Sequence, residues 1–202
     1  MLPECTFYFL RHGETDWNAR GLMQGNTDIP LNTSGRAQAQ SVRKCVEALG
    51  IETICASPLS RASETAHIVN TEMKRPVMVI DALREFTMGE RDGTTFGPWF
   101  QGWRSGDLHI EGAETRVDFL ERALSGLLAA LEHPGPVLIV SHGGLFGAVK
   151  HYGRLDDALQ VRNCDLVRLE PPPSESDGWR CRNSRRSSAS VSTSRRSRSS
   201  SC

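Results

Sequence analysis

The stretch FYFLRHGETDWN (residues 7–18) sets the reading of the whole chain. Four aromatic or aliphatic residues run without alternation into an arginine, a histidine and a glycine. An unbroken apolar run is the pattern of a strand covered on both faces. Arg11 and His12 are poor core residues, and Gly13 weakens a strand end. A chemical purpose for this strand mouth therefore has to be weighed beside a structural one.

Comparable short runs recur at CTFYFL (5–10), TICAS (53–57), VMVID (77–81) and PVLIVS (136–141), with a weaker one at DLVRLE (165–170). Helical patterns fall between them. Asn32 is placed to cap a helix running to about Ala48, and Gly50 stands where that helix should stop. Residues 60–72 form a second helical pattern. Val117, Leu120, Leu124, Leu127, Leu128 and Leu131 repeat at the spacing of one buried helical face. A short helix is expected after Gly144. Alternating strands and helices predict an α/β fold: a three-layer α/β/α sandwich with a mainly parallel sheet. Ligands of such sheets bind at the carboxyl ends of the strands.

At 202 residues, 38% hydrophobic and 24% charged, the chain is long enough for one well-filled domain. No run approaches the roughly 18 apolar residues of a spanning helix, and MLPECTFYFL lacks the basic start of a signal peptide. Cytoplasmic residence with no membrane partner is the expectation. The cysteines (Cys5, Cys45, Cys55, Cys164, Cys181 and Cys202) form no C-x-x-C pair, so neither a zinc site nor a dithiol is suggested. The formal net charge of zero hides an asymmetry. Residues 179–202 carry seven arginines and no acid, which leaves residues 1–178 with a net charge of −7. We expect a domain over 1–178 and a disordered Ser/Arg-rich tail over 179–202. An acidic body repels a nucleic-acid backbone, so any such contact would belong to the tail alone. A reading-frame change near the end would also produce such a tail.

Each strand end carries something reactive. Arg11, His12 and Gly13 follow the first, Arg61 the second, Glu85 the third and His142 the fourth. Two histidines, two arginines and a carboxylate on one sheet edge suit phosphoryl transfer. A neutral imidazole attacks phosphorus, guanidinium forks hold the equatorial oxygens, and a carboxylic acid supplies the leaving group's proton. Taken singly each residue has an ordinary alternative. Arg61 could pair with Glu64 along its helix, Glu85 and Glu90 could sit in a solvated loop, and His142 could bond a backbone carbonyl. The histidines at 67, 109, 133 and 151 lack this context.

LRHGETDWN, PLNTSGRAQA, SPLSRASETA, LREFTMGE and VSHGG, in this order, resemble the histidine phosphatase superfamily, the phosphoglycerate mutase-like proteins, as far as about residue 170. The resemblance implies that His12 is the phosphorylated nucleophile. It implies that Arg11, Arg61 and His142 bind the phosphoryl group, that Glu85 donates a proton, and that Asn18 and Gln24 line the substrate side. It implies no metal and no cofactor, and its partner is a small phosphorylated metabolite. Three positions depart from the family's habit: Arg91 within GERDG, Phe146-Gly147 after the second histidine, and Asn32 at the helix cap.

Residues 86–112 are glycine-rich, with Trp99, Phe100 and Trp103 close together, and are expected to form a small cap over the strand ends. These aromatics either close over a ligand or pack beneath the cap. Glu85 and His142 lie only 57 positions apart, so the cap is short and shields a phosphohistidine poorly from water. That favours a phosphomonoester hydrolase of the phosphatase branch over a phosphoglycerate mutase. α-Ribazole phosphatase, with a similarly short cap, is a further alternative. A non-catalytic phosphate-binding module is the contrasting one, and it would have no use for a proton donor.

Overall fold

The computed structural model describes residues 1–174 and 177–184. Strands β1 (Phe7–Arg11), β2 (Thr53–Ala56), β3 (Val77–Val79), β4 (Val137–Ser141), β5 (Leu166–Glu170) and β6 (Arg180–Asn183) form one sheet in the order β3-β2-β4-β1-β5-β6. β3, β2, β4 and β1 run parallel, and β5 and β6 are antiparallel additions. The helices are α1 (Asp16–Ala19), α2 (Thr33–Glu47), α3 (Ser60–Val69), α4 (Pro98–Ser105), α5 (Arg116–Leu131) and α6 (Gly143–Gly153).

The unbroken apolar run in β1 has a direct explanation. Successive side chains of a strand point to opposite faces. Phe7 and Phe9 join one core with α5 and α6, whereas Tyr8 and Leu10 join the other with α2 and α3. Both faces are covered, as the three-layer reading requires. Asn32 caps α2 by accepting the Gly35 N–H at 2.8 Å, and the helix closes on Ala48.

Register places the site. Arg11 is paired with Ser141 in the parallel β1–β4 ladder, so the next residues, His12 and His142, leave the sheet side by side. Ala56 is paired with Val140, which brings Ser57 into the same row. No described helix is long and apolar enough to cross a membrane.

Several elements differ from expectation for physical reasons. VMVID does not form a strand covered on both faces. β3 is the sheet edge, and Val79 is 58% exposed. α3 ends at Val69 rather than at residue 72. Val117 is 64% exposed, and the buried face of α5 is made by Phe119, Leu120, Ala123, Gly126, Leu127 and Ala130. Small residues carry that face, so a count of leucines misplaces it. The cap contains α4, opened by Pro98 at its first turn, where proline's missing N–H is no loss.

The sheet also continues past the boundary drawn at residue 178. Trp179 packs edge-on against Phe7 at 5.6 Å and donates its N–H to the Gly153 carbonyl. β6 then pairs with β5 through Arg182 opposite Arg168 and Cys181 opposite Leu169. Residues 185–202, with the remainder of the expected tail, lie outside the described residues. A chain ending at 179 should be less stable than one ending at 184 by about 2 kcal/mol, from lost ladder bonds and the packing of Cys181. Thermal unfolding should register this as a midpoint roughly 4–8 °C lower.

Candidate functional site

At the mouth of β1, His12 is only 3% exposed and its Nδ1 lies 2.7 Å from the Gly13 carbonyl oxygen. A carbonyl can only accept, so Nδ1 carries the proton and Nε2 keeps its lone pair. Burial, then the charges of Arg61 and Arg11, hold His12 well below the usual histidine range. The ring is neutral at ordinary pH. Gly13 is required by proximity rather than by a left-handed turn. A Cβ there would stand 2.5 Å from the Gly35 carbonyl oxygen at the start of α2. The Gly13 N–H is received by Thr65 Oγ1 at 3.0 Å, and that hydroxyl donates to the Arg61 carbonyl.

His142 is fully buried, with its ring centroid 5.2 Å from that of His12. Its Nε2 lies 2.8 Å from Ser57 Oγ, not against a backbone carbonyl. That hydroxyl already receives the Leu59 N–H. Among the described contacts its proton has no acceptor other than Nε2. His142 therefore carries its own proton on Nδ1, which is buried without a partner. Burial and the neighbouring Arg61, His12 and Arg11 keep this ring neutral too.

Arg61 is 1% exposed and does not pair with Glu64, which bonds Arg36 Nε at 2.6 Å instead. Its terminal nitrogens donate to the carbonyls of Thr27 and Gly25, each at 2.8 Å, and its Nε has no partner. Burial lowers this guanidinium to about 10, so it stays charged near neutrality. Arg11 donates Nη1 to the Val161 carbonyl at 2.9 Å, and its Nε is likewise buried and unpartnered. Three donors around His12 (Arg11 Nε, Arg61 Nε and His142 Nδ1) thus lack an acceptor. An orphaned buried donor is costly, and an anion beside His12 would offer such donors an acceptor.

Glu85 is not in a solvated loop. Its carboxylate accepts the Gly144 N–H at the start of α6 at 2.9 Å and its neighbour Phe86's N–H at 3.2 Å. Burial raises it, against the downward pull of those N–H groups and of Arg61 and Arg11. A Cβ on Gly144 would collide with Oε1, so glycine is needed there for the carboxylate to sit. Behind it, Arg122 donates to the carbonyls of Ala82, Arg84 and Glu85, and to the carboxylate of Glu114 at 2.7 Å.

Asn18 and Gln24 line the same cavity, which has a volume of about 430 Å³ and is walled by Arg11, His12, Arg61 and Glu85. Thr15 Oγ1 donates to Gln24 Oε1 at 2.9 Å, and Asn163 Nδ2 donates to Asn18 Oδ1 and to the His12 carbonyl. The structure thus brings Arg11, His12, Asn18, Gln24, Arg61 and Glu85 to one cavity and seats His142 beside His12. Sequence reasoning missed Ser57, Thr65, Arg122 and Asn163, although Ser57 and Thr65 stand inside the SPLSRASETA block. It also passed over His151, which lies along the cavity wall. Of the aromatics, Phe100 and Trp103 line the cavity, and Trp103 is held by a 2.8 Å bond from Nε1 to the Glu114 carbonyl. Arg91, one of the departures, lies over the Trp99 ring at 5.7 Å.

Fold and cavity together define an α/β protein with a cationic pocket at its strand mouths. The chain belongs to the histidine phosphatase superfamily (branch 1), whose family profile matches residues 7–183. It is similar to the probable phosphoglycerate mutase GpmB of Proteus mirabilis, at 34% identity over 191 residues, covering 85% of this chain and 88% of that protein. Among solved structures it is similar to a mycobacterial glucosyl-3-phosphoglycerate phosphatase complexed with VO3, at 29% identity and a TM-score of 0.73, covering 87% of this chain and 96% of the other. A putative α-ribazole-5'-P phosphatase from Escherichia coli shares the fold at 22% identity, with a TM-score of 0.73 and coverage of 88% and 95%.

The unsatisfied donors make anion binding measurable without any turnover. Orthophosphate at a hundred times its Kd should add about 2.7 kcal/mol of stability. That raises the unfolding midpoint by roughly 5–11 °C. Arg61→Gln should remove most of the shift.

Proposed function

We propose that the protein is a phosphomonoester hydrolase acting through a phosphohistidine on a small phosphorylated metabolite, without a metal. The observation that carries this reading is the neutral His12, its Nδ1 held by the Gly13 carbonyl, in one cavity with unpartnered arginine donors and a carboxyl raised by burial.

The steps follow from these groups. Arg11, Arg61 and the Nδ1–H of His142 hold the phosphoryl oxygens and neutralise charge that builds in transfer. His12 Nε2 attacks phosphorus as the bond to the leaving oxygen breaks. Glu85, whose acid form is favoured by burial, gives that oxygen its proton. In the second half, water attacks phosphorus, the P–N bond breaks, and the Glu85 carboxylate takes the water's proton. His12 returns to its starting state and orthophosphate leaves. Asn18 and Gln24 contact the substrate beside the phosphoryl group. Two guanidiniums supply the positive charge that a metal would otherwise provide.

Hydrolysis is favoured over return to a second hydroxyl by the short cap, whose α-helix spans Pro98–Ser105. The resemblance to proteins named probable phosphoglycerate mutase supports the second reading. A phosphate-release screen across aryl phosphates, sugar phosphates, phosphoglycerates and α-ribazole phosphate tests both. Release should survive EDTA and fall by at least about a thousandfold in His12→Ala, as expected for loss of a nucleophile. Interconversion of phosphoglycerate isomers faster than phosphate release would overturn the hydrolase reading.

The pH dependence has a fixed sign. Activity needs His12 deprotonated, and its pKa is held below the ordinary 6.5, so the acid limb is displaced downward. Activity also needs Glu85 protonated, and its pKa lies above the ordinary 4.5, so the alkaline limb is displaced upward from that value. The profile of kcat/KM should be a bell whose acid limb is displaced downward and whose alkaline limb is displaced upward from those ordinary values. Glu85→Gln should lower the maximum and erase the alkaline limb assigned to this carboxyl; persistence of that limb would sink the assignment.

A further inference from the structure

The segment 161–165, which leads into β5, fastens the reactive end of β1. Arg11 Nη1 donates to the Val161 carbonyl at 2.9 Å, and the Arg11 N–H donates to the Asp165 carbonyl at 3.3 Å. Between them, the Cys164 N–H reaches the carbonyls of Arg11 and His12 at 3.0 and 3.2 Å. Cys164 is fully buried and takes a left-handed backbone, with φ of +55°. A non-glycine residue adopts that conformation only when its surroundings hold it there. The turn sends the Cys164 N–H back to the strand and leaves the Asn163 side chain beside the His12 carbonyl.

Asn163 uses both of its amide protons. Nδ2 donates to the His12 carbonyl at 3.0 Å and to Asn18 Oδ1 at 3.2 Å. The Asn18 oxygen is identified independently, because the Thr15 N–H donates to it at 3.3 Å and can only donate. The orientation of the Asn18 carboxamide follows. With its oxygen taken by Thr15 and Asn163, its Nδ2 is the side left for the cavity that Asn18 lines, and it has no partner among the described residues. An amide donor there joins the unpartnered guanidinium donors of Arg11 and Arg61. α1, which carries Asn18, is one turn long and has no buried side chain. So short a helix has little of its own to hold it. A bond from a residue 145 positions away supplies a tertiary hold.

Resting on the hydrolase reading above, we propose that Asn163 is a positioning residue for phosphoryl transfer. It acts through Asn18. By occupying Oδ1 it presents the Asn18 Nδ2 to a phosphoryl oxygen, and by sharing its amide with the His12 carbonyl it keeps that donor in register with the nucleophile. Asn163 itself is not among the residues that wall the cavity.

A double-mutant cycle on the full chain tests this, read by calorimetry of orthophosphate binding and by kcat/KM for 4-nitrophenyl phosphate. Asn163→Ala should weaken orthophosphate binding and lower kcat/KM, each by about tenfold, as expected for losing one hydrogen bond to a charged group. In an Asn18→Ala background the same change should cost at most about twofold, because the donor that Asn163 sets is already gone. A tenfold loss in both backgrounds overturns the proposal, since Asn163 would then act without Asn18; no loss in either overturns it too. The acid limb of the pH profile should stay in place in Asn163→Ala, because His12 Nδ1 is held by Gly13. A displaced limb would route the effect through His12 instead and overturn the proposal. Asn163→Leu keeps the branched shape without the donor and repeats the cycle if the alanine variant unfolds; binding and turnover near those of the unaltered chain would show that the position needs only to be filled, which also overturns it. Absence of phosphate release by the unaltered chain overturns the hydrolase reading, and the orthophosphate arm still decides the coupling of Asn163 to Asn18.

Discussion

A buried guanidinium organises this molecule. Arg61 is removed from water at the start of α3, and its terminal nitrogens are taken by two carbonyls of the segment after Gln24. Burying a charge is expensive unless it is hydrogen-bonded and paired. Here the backbone supplies the bonds, and no carboxylate is within ion-pair distance among the described residues. Burial, and then this charge, keep both histidines neutral, and Nε is left without a partner. It also ties the loop that carries Gly25 to the sheet, because α3 hangs directly from β2. Removing Arg61 would free that loop and relax the histidines together.

A second cluster holds the acid. Arg122 reaches from α5 to three carbonyls of the segment that carries Glu85, and to Glu114. The Glu114 carbonyl in turn receives the Trp103 indole N–H. The position of the carboxyl is therefore linked through one guanidinium to the cap helix. Movement of α4 would be felt at Glu85 through three hydrogen bonds.

Much of this was legible in the sequence, and the parts that were not share a cause. Strand mouths were readable because apolar runs ended abruptly in Arg11-His12, in SPLSR and in SHGG, a change of chemistry that no packing argument needs. The Asn32 cap was readable because its partner, the Gly35 N–H, is three residues away. Ser57, Asn163 and Arg122 were not readable. Their partners lie 85, 151 and 37–40 positions away, so their roles exist only once the sheet register is set. Val117 misled for a related reason: leucine spacing found Leu120 and Leu127 but not Phe119, Ala123, Gly126 and Ala130, which complete the buried face. β6 was hidden because Arg180-Cys181-Arg182 reads as the start of a basic run. As an edge strand, it needs only Cys181 to face the core while its arginines meet Glu170 and solvent.

The cap aromatics Phe100 and Trp103 that line the cavity come from residues 86–112, whereas the histidines, Arg11 and Arg61 come from strand ends that precede or follow that segment. Chemistry and appetite are thus written on different lengths of chain. A duplicated copy could exchange the tip of its cap, from Arg91 to Arg104, and acquire a new diet while inheriting the old reaction unaltered. The Arg122 link sets the limit of that freedom, since residues 114 and 122 must survive the exchange for the acid to stay in place. Divergence in such a lineage would be fastest where the cap faces the ligand and slowest where it touches Glu114.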